Sequence, residues 1–183
     1  MATYTELEAA LSRLGLIVRG GFSLEAGEFT EFGLAGDYRS LVMVGNAGPA
    51  MWASLSLVLT YDQEDHALDR WTRRVLQPLA ESFDADVVFP FGGPPYLPFQ
   101  RWAQRAEPVF PSPIGPLIHP LYGMWHAYRG ALLFREAIAL PEVGGAKNPC
   151  ESCIERPCLS TCPVDAFSAV GYDVPACAAH LQV

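Results

Sequence analysis

All five cysteines of this 183-residue chain lie between positions 150 and 177, and the first 149 residues contain none. The run Cys150-x2-Cys153-x4-Cys158-x3-Cys162-Pro163 gathers four thiols into thirteen residues, with fourteen more before Cys177. An odd count crowded at one end does not read as a disulfide framework. It reads as a metal module joined to a cysteine-free domain, because thiolates are soft ligands that suit iron–sulfur clusters or zinc. Zinc sites usually pair one C-x2-C with a distant second one. The crowding therefore favours an iron–sulfur cluster over a zinc-stabilised structural module, and over thiols that bind nothing.

The cysteine-free part has the means to bury a core, since half the residues are apolar and 17% are charged. Twelve basic against 20 acidic residues leave a net charge of −8. That balance argues against nucleic acid or an anionic membrane as partner, because both need a basic surface. No apolar run reaches the roughly 18 residues of a membrane span. The start, Met1-Ala2-Thr3-Tyr4-Thr5-Glu6, lacks the basic-then-apolar order of a secretion signal, so a cytoplasmic location is expected.

Periodicity alternates between helix and strand. Thr3-x-x-Glu6 fits a capping box, with Leu7, Ala10, Leu11 and Leu14 at helical spacing and Gly15 as a stop. Strands are expected over Leu16 to Phe22, Ser40 to Val44, Asp86 to Phe91 and Met124 to Phe134. Asp62 to Ser82 predicts a helix with Asp62, Glu64 and Asp65 favoured at its start by the dipole, and with Pro78 as a kink or an end. Pro98 to Arg105 fits a short helix. Pro49 to Leu59 fits a helix or an alternating strand equally. Nine of the 16 prolines fall between Pro90 and Pro120, which predicts an extended, rigid loop there. Val143 to Lys147 reads as a linker. The expectation is an α+β fold, an α/β-layered sheet flanked by helices over 1–140, followed by a small module over 141–183.

The tail resembles bacterial ferredoxins, whose pattern is C-x2-C-x2-C-x3-C-P. Here the middle gap is four residues, Ile154-Glu155-Arg156-Pro157. In two-cluster ferredoxins the cysteine before proline ligates the other cluster. That resemblance puts Cys150, Cys153 and Cys158 on one 4Fe-4S cluster, and Cys162 and Cys177 on a second. Two complete clusters need more thiolates than five. Three readings follow: one cluster with Cys162 or Cys177 as fourth ligand, a dimer that shares ligands, or a chain that continues beyond Leu181-Gln182-Val183.

A second resemblance lies upstream. Ile118-His119-Pro120-Leu121-Tyr122-Gly123-Met124-Trp125-His126-Ala127-Tyr128-Arg129-Gly130 resembles the I-H-P-x-[FY]-G-x-W-x-A-x-R-G stretch of the cobalamin-trafficking chaperones. A similar stretch occurs in the epoxyqueuosine reductase family, where a cobalamin domain precedes a ferredoxin domain. Trp102-Ala103-Gln104-Arg105-Ala106 is similar to a segment just upstream in that family. The resemblance implies a nitroreductase-like sheet, a bound corrinoid, and an electron-donor protein. Continued through Ala131, Leu132 and Leu133, it covers about 16 residues plus the cysteine region. The aspartate that serves that reductase family as proton donor corresponds by spacing to Gly93, so epoxyqueuosine chemistry is not expected.

The resemblance marks His119, Tyr122, Gly123, Trp125 and Arg129 as pocket residues. His119 is a donor or ligand candidate, against a histidine satisfied by backbone groups. Gly123 allows close approach to a flat cofactor. Trp125 stacks on that cofactor or joins the core, which its apolar strand favours. Arg129, a lone charge in that strand, pairs with an acid such as Asp37 or holds a ligand carboxylate or amide. Gly92 to Phe99 reads as a pocket wall or a packed connector. His126 reads as structural, and His180, three residues after Cys177, as a residue on a solvated helix face or else a metal ligand. The expected function is a redox protein in which an iron–sulfur cluster passes electrons to a bound cobalamin. The alternatives are a non-catalytic electron carrier, a corrinoid chaperone, and a flavin in the same pocket.

Overall fold

The computed structural model of the protein describes residues 3–34, 36–61, 65–168 and 171–181. Its contacts divide the chain into two compact units, residues 1–108 with 125–144 and residues 109–124 with 145–183. The segment 109–124, grouped with 1–140 in the sequence reading, clusters with the cysteine-bearing tail.

The first unit is α+β. Its sheet runs in the order β1 (Ile17–Ser23), β2 (Ser40–Ala47), β6 (His126–Phe134), β3 (Ala85–Val88), with every neighbouring pair antiparallel. Helix α1 (Tyr4–Ser12) starts on the expected capping box. The Glu6 amide donates to Thr3 Oγ1 at 3.3 Å, and the Thr3 amide donates to Glu6 Oε2 at 3.0 Å. Its Leu7 and Leu11, one helical turn apart, are buried against the sheet with Leu16.

The central strands are covered on both faces. Val42, Val44, Leu132 and Phe134 belong to one apolar cluster with α1 and with Trp71, Leu76 and Leu79 of α3 (Ala67–Ser82). The alternate residues Leu41, Met43, Ala131 and Leu133 are buried on the opposite face. Helix α4 (Phe99–Ala106) packs beside β1 and β2, with its Trp102 stacked on Phe29 at 4.9 Å.

Pro49 to Leu59, equally open to helix and strand, forms part of α2 (Ala50–Tyr61). Pro49 accepts the first turn bond from the Trp52 amide at 3.0 Å, a position where its fixed φ suits a helix. Helix α3 starts later than expected because His66 holds a left-handed φ of 61°, and Pro78 sits inside the helix without ending it. Asp62 and Glu64 lie outside the described residues; the Asp65 carbonyl accepts a bond from Arg70.

Two bulges shape the sheet. In β1 the pairing jumps from Val18 to Gly21 against β2, so one extra residue is accommodated near Gly20. Gly20 has φ +68°, and a Cβ there would lie 2.1 Å from the Ala106 carbonyl oxygen. Only glycine permits both the bulge and the close approach of the α4 end. In β6, Gly130 and Tyr128 pair with the consecutive residues Val44 and Gly45, leaving Arg129 as the extra residue.

The second unit contains the hairpin β4 (Phe110–Pro111) and β5 (Leu117–Ile118). It also holds α5 (Pro149–Ser152), α6 (Pro157–Ser160), the hairpin β7 (Phe167–Ser168) and β8 (Gly171–Tyr172), and α7 (Val174–Leu181). Among its described residues the buried apolar side chains are Val109, Leu117 and Ala166. Among the described residues of the whole chain, no helix is long and apolar enough to cross a membrane.

Candidate functional site

The cysteines are set on short turns rather than on long elements. Asn148 caps α5, its Oδ1 accepting from the Cys150 amide at 2.9 Å, with Pro149 at the first helical position. Cys153 leaves that helix in extended conformation. Arg156, at φ +43°, turns the chain into α6, which carries Cys158. Cys162 Sγ accepts a bond from the Ala166 amide at 3.3 Å. Amide bonds of this kind to cluster-ligating sulfurs help set reduction potential. Asp173 caps α7 through the Ala176 amide at 3.0 Å, and α7 carries Cys177.

All five thiols are free; Cys153 is exposed and the other four are half-buried. Burial pushes the Cys150 thiol up, and the neighbouring Cys158 and Cys153 push it further, while Arg156 opposes them. The Tyr172 phenol is pushed up first by its hydrogen bond with Cys177, then by burial and by the proximity of Cys177 and Cys162. Cys158 and Cys153 thus lie within electrostatic reach of Cys150, and Cys177 and Cys162 within reach of Tyr172. Among the described residues, no three His, Cys, Asp or Glu side chains converge as a finished metal-binding group. The donor set itself, five soft thiols without a competing disulfide, fits iron–sulfur chemistry.

Of the five pocket candidates, three belong to the second unit and are brought together there. His119 and Gly123 exchange backbone bonds of 2.9 and 2.8 Å, closing a loop over Pro120, Leu121 and Tyr122. Gly123, at φ +58°, makes the return. The His119 ring stacks on Tyr122 with centroids 4.4 Å apart. His119 Nδ1 accepts from the amides of Leu121 at 3.0 Å and Tyr122 at 3.2 Å. An accepting Nδ1 places the proton of the neutral ring on Nε2, so Nε2 is the donor nitrogen in this loop conformation. Neutral His119 therefore acts as a hydrogen-bond donor there, and coordination through Nε2 needs a change of tautomer that breaks the loop's own bonds.

The other two candidates lie in the first unit, in different surroundings. Trp125 is 85% exposed, against the core position its apolar strand favoured. Arg129 is directed by its bulge toward α3. Its Nη1 lies 3.8 Å from Asp69 Oδ1, so its acid is Asp69 and not Asp37. Burial pushes the guanidinium below its ordinary value, and Asp69 opposes this. Arg129 Nη1 and Asn46 Oδ1 are buried without a hydrogen-bond partner among the described residues. His180 is exposed on α7.

The sequence reading missed a buried network in the first unit. Arg19 is 1% exposed and meets Glu107 at 2.6 and 3.1 Å. The Tyr128 hydroxyl donates to Glu107 Oε1 at 2.5 Å, and Arg19 Nη2 lies 3.2 Å from His126 Nδ1. The signal was present: Arg19 is a lone charge in the apolar strand Ile17–Ser23, as Arg129 is in its own.

Two recesses open on the first unit. A groove of about 990 Å³ runs between α1 and the end of α3, lined by Leu14, Leu79 and Phe83 and by the acids Glu81, Asp84 and Glu136. A cleft of about 420 Å³ lies at the start of α3. Neither is lined by the five pocket candidates. No protein-family model matches the chain, and no curated protein matches it significantly.

Proposed function

We propose that the protein is an iron–sulfur redox protein, with a nitroreductase-like first unit and a ferredoxin-like second one, that passes electrons to a bound corrinoid. The observation that carries this reading is the second unit. It holds five free thiols on short turns and buries only Val109, Leu117 and Ala166 as apolar core among its described residues. A unit of this size with so little core draws folding energy from elsewhere, and a metal held by thiolates supplies it. Cys150, Cys153 and Cys158 would hold one cluster, with Cys162 and Cys177 as the remaining donors. The cluster, when bound, supplies one-electron transfer at low potential.

The chain's own residues do the rest. The Ala166 amide holds Cys162 Sγ in place. The stacked Tyr122 and the loop amides fix the His119 ring in the tautomer that carries its proton on Nε2. Titrating hydroxocobalamin into the cluster-loaded protein should shift its visible spectrum; an unchanged spectrum with the cluster intact removes the corrinoid. Electron carriage without a corrinoid is the second reading. It is favoured by the structural use His119 already has, as the cap of its own loop.

A further inference from the structure

The 990 Å³ groove between α1 and the end of α3 is lined by none of the thiols and by none of the corrinoid candidates. Its α1 side consists of Glu6, Ala9, Ala10 and Arg13, spaced i, i+3, i+4 and i+7. Its α3 side repeats that spacing with Val75, Pro78, Leu79 and Ser82. Each set therefore lies on one helix face. Ala9 is exposed and Ala10 half-buried, so the α1 side is open and small. Small side chains let another helix pack at close range.

The charge along the groove is one-sided. Glu81, Asp84 and Glu136 make no ion pair among the described residues. Glu6 is engaged by Thr3 in the capping box, and Arg135 is held by Asp86 at 2.6 Å, which leaves Arg13 as the base that faces the three acids. The carbonyl end of a helix carries partial negative charge and favours Lys or Arg there. Helix α3 has no basic residue in its last turn; Glu81 lies near its end, and Asp84 follows the C-cap Phe83. Like charge is thus gathered on a negative helix end, and a cation brought from outside offsets it. A single metal ion does not fit, since among the described residues no three His, Cys, Asp or Glu side chains converge to hold one. Carboxylates that come from the end of α3 and from the segment after β6 suit several basic side chains along one ligand.

We propose that this groove docks a basic amphipathic helix of a partner protein. The apolar face of that helix lies on Ala9, Ala10, Val75, Leu79 and Phe83, and its Lys or Arg side chains meet Glu81, Asp84 and Glu136. The same carboxylates repel an anionic membrane and nucleic acid.

The test titrates the full chain at low salt into a fluorescein-labelled peptide of leucine and lysine, about 18 residues long, with its leucines along one helical face. Fluorescence anisotropy should show one saturable complex, at least about tenfold weaker when the leucines are replaced by alanine. Spermidine at the peptide's concentration should leave the complex intact. Glu81→Gln, Asp84→Asn and Glu136→Gln combined should weaken the leucine peptide about tenfold or more. Asparagine is chosen at position 84 because it tolerates the left-handed φ of 52° there. Glu25→Gln, Asp37→Asn and Glu142→Gln combined, which remove the same charge away from the groove, should change affinity less than about threefold. Ala9→Trp, which obstructs the groove from an exposed position, should weaken the complex as the groove triple does, and it carries the test if circular dichroism shows the triple unfolded. No saturable complex, equal affinity for the alanine peptide, displacement by spermidine, or equal loss in the two triple variants overturns the proposal.

Discussion

Replacing Glu107 with glutamine should cost the first unit about 3 kcal/mol, and the reason is the Arg19 it leaves behind. Arg19 is 1% exposed and Glu107 12%, with contacts of 2.6 and 3.1 Å between them. Removing one partner of a buried pair costs about 3–5 kcal/mol, because the remaining charge is stranded away from water. Glutamine keeps the size and one acceptor oxygen for the Tyr128 hydroxyl, which puts the cost near the lower end of that range. Arg19→Met strands Glu107 instead, which is nearer solvent, at about 2–3 kcal/mol. The double variant buries no charge, so its cost should fall short of the sum by about 2 kcal/mol. Urea unfolding followed by tryptophan fluorescence measures this in the right place, since Trp52, Trp71, Trp102 and Trp125 all lie in the first unit. A Glu107→Gln cost under about 1 kcal/mol, or additive costs in the double variant, refutes the buried-pair reasoning.

Three further outcomes are expected. Gly20→Ala should destabilise by about 2–4 kcal/mol in the same assay, because φ +68° and a Cβ 2.1 Å from the Ala106 oxygen must both be accommodated; a loss under about 0.5 kcal/mol counts against the bulge geometry. Burial, and then the Glu107 charge, push the Tyr128 phenol far above its ordinary value. The folded chain thus keeps a proton that the unfolded chain releases above about pH 10. That contribution is fully present below this pH and is lost above it, at up to about 1.4 kcal/mol per pH unit. Tyr128→Phe should flatten the alkaline limb of a stability–pH profile, and an unaltered limb contradicts the assignment. Replacing Cys150, Cys153 or Cys158 with serine should each lower the iron content per chain by at least one cluster; retention of full iron by any one of them removes that residue from the ligand set.

Much of the layered domain was legible because local signals agreed with tertiary placement. The Thr3–Glu6 capping box starts α1, and the apolar run Ser40 to Val44 lies in the middle of the sheet, buried on both faces. Segment 49–59 was not legible, because Leu-Ser-Leu-Val-Leu alternates as a strand does while Gly48 and Pro49 open a helix. The start of α3 was misplaced because nothing in the sequence announces a left-handed His66. That the five thiols belong to a unit separate from most of the cysteine-free chain was legible from their spacing. The partner of Arg129 was not, since the bulge that turns it toward Asp69 depends on how β6 meets β2. Trp125 was favoured for the core by its apolar neighbours, yet it stands before the strand begins and is solvent-facing. The Arg19 network shows the limit most clearly. Its members come from β1, the end of α4 and β6, and only the fold brings them within 3 Å or so of one another.

The central claim is that the tail thiols hold iron and sulfide. Purification without oxygen, followed by iron, zinc and acid-labile sulfide analysis and by EPR before and after dithionite, tests it directly. The account predicts a brown protein with stoichiometric iron and sulfide and a signal that changes on reduction. A colourless protein that carries zinc in place of iron, or no metal at all, contradicts it.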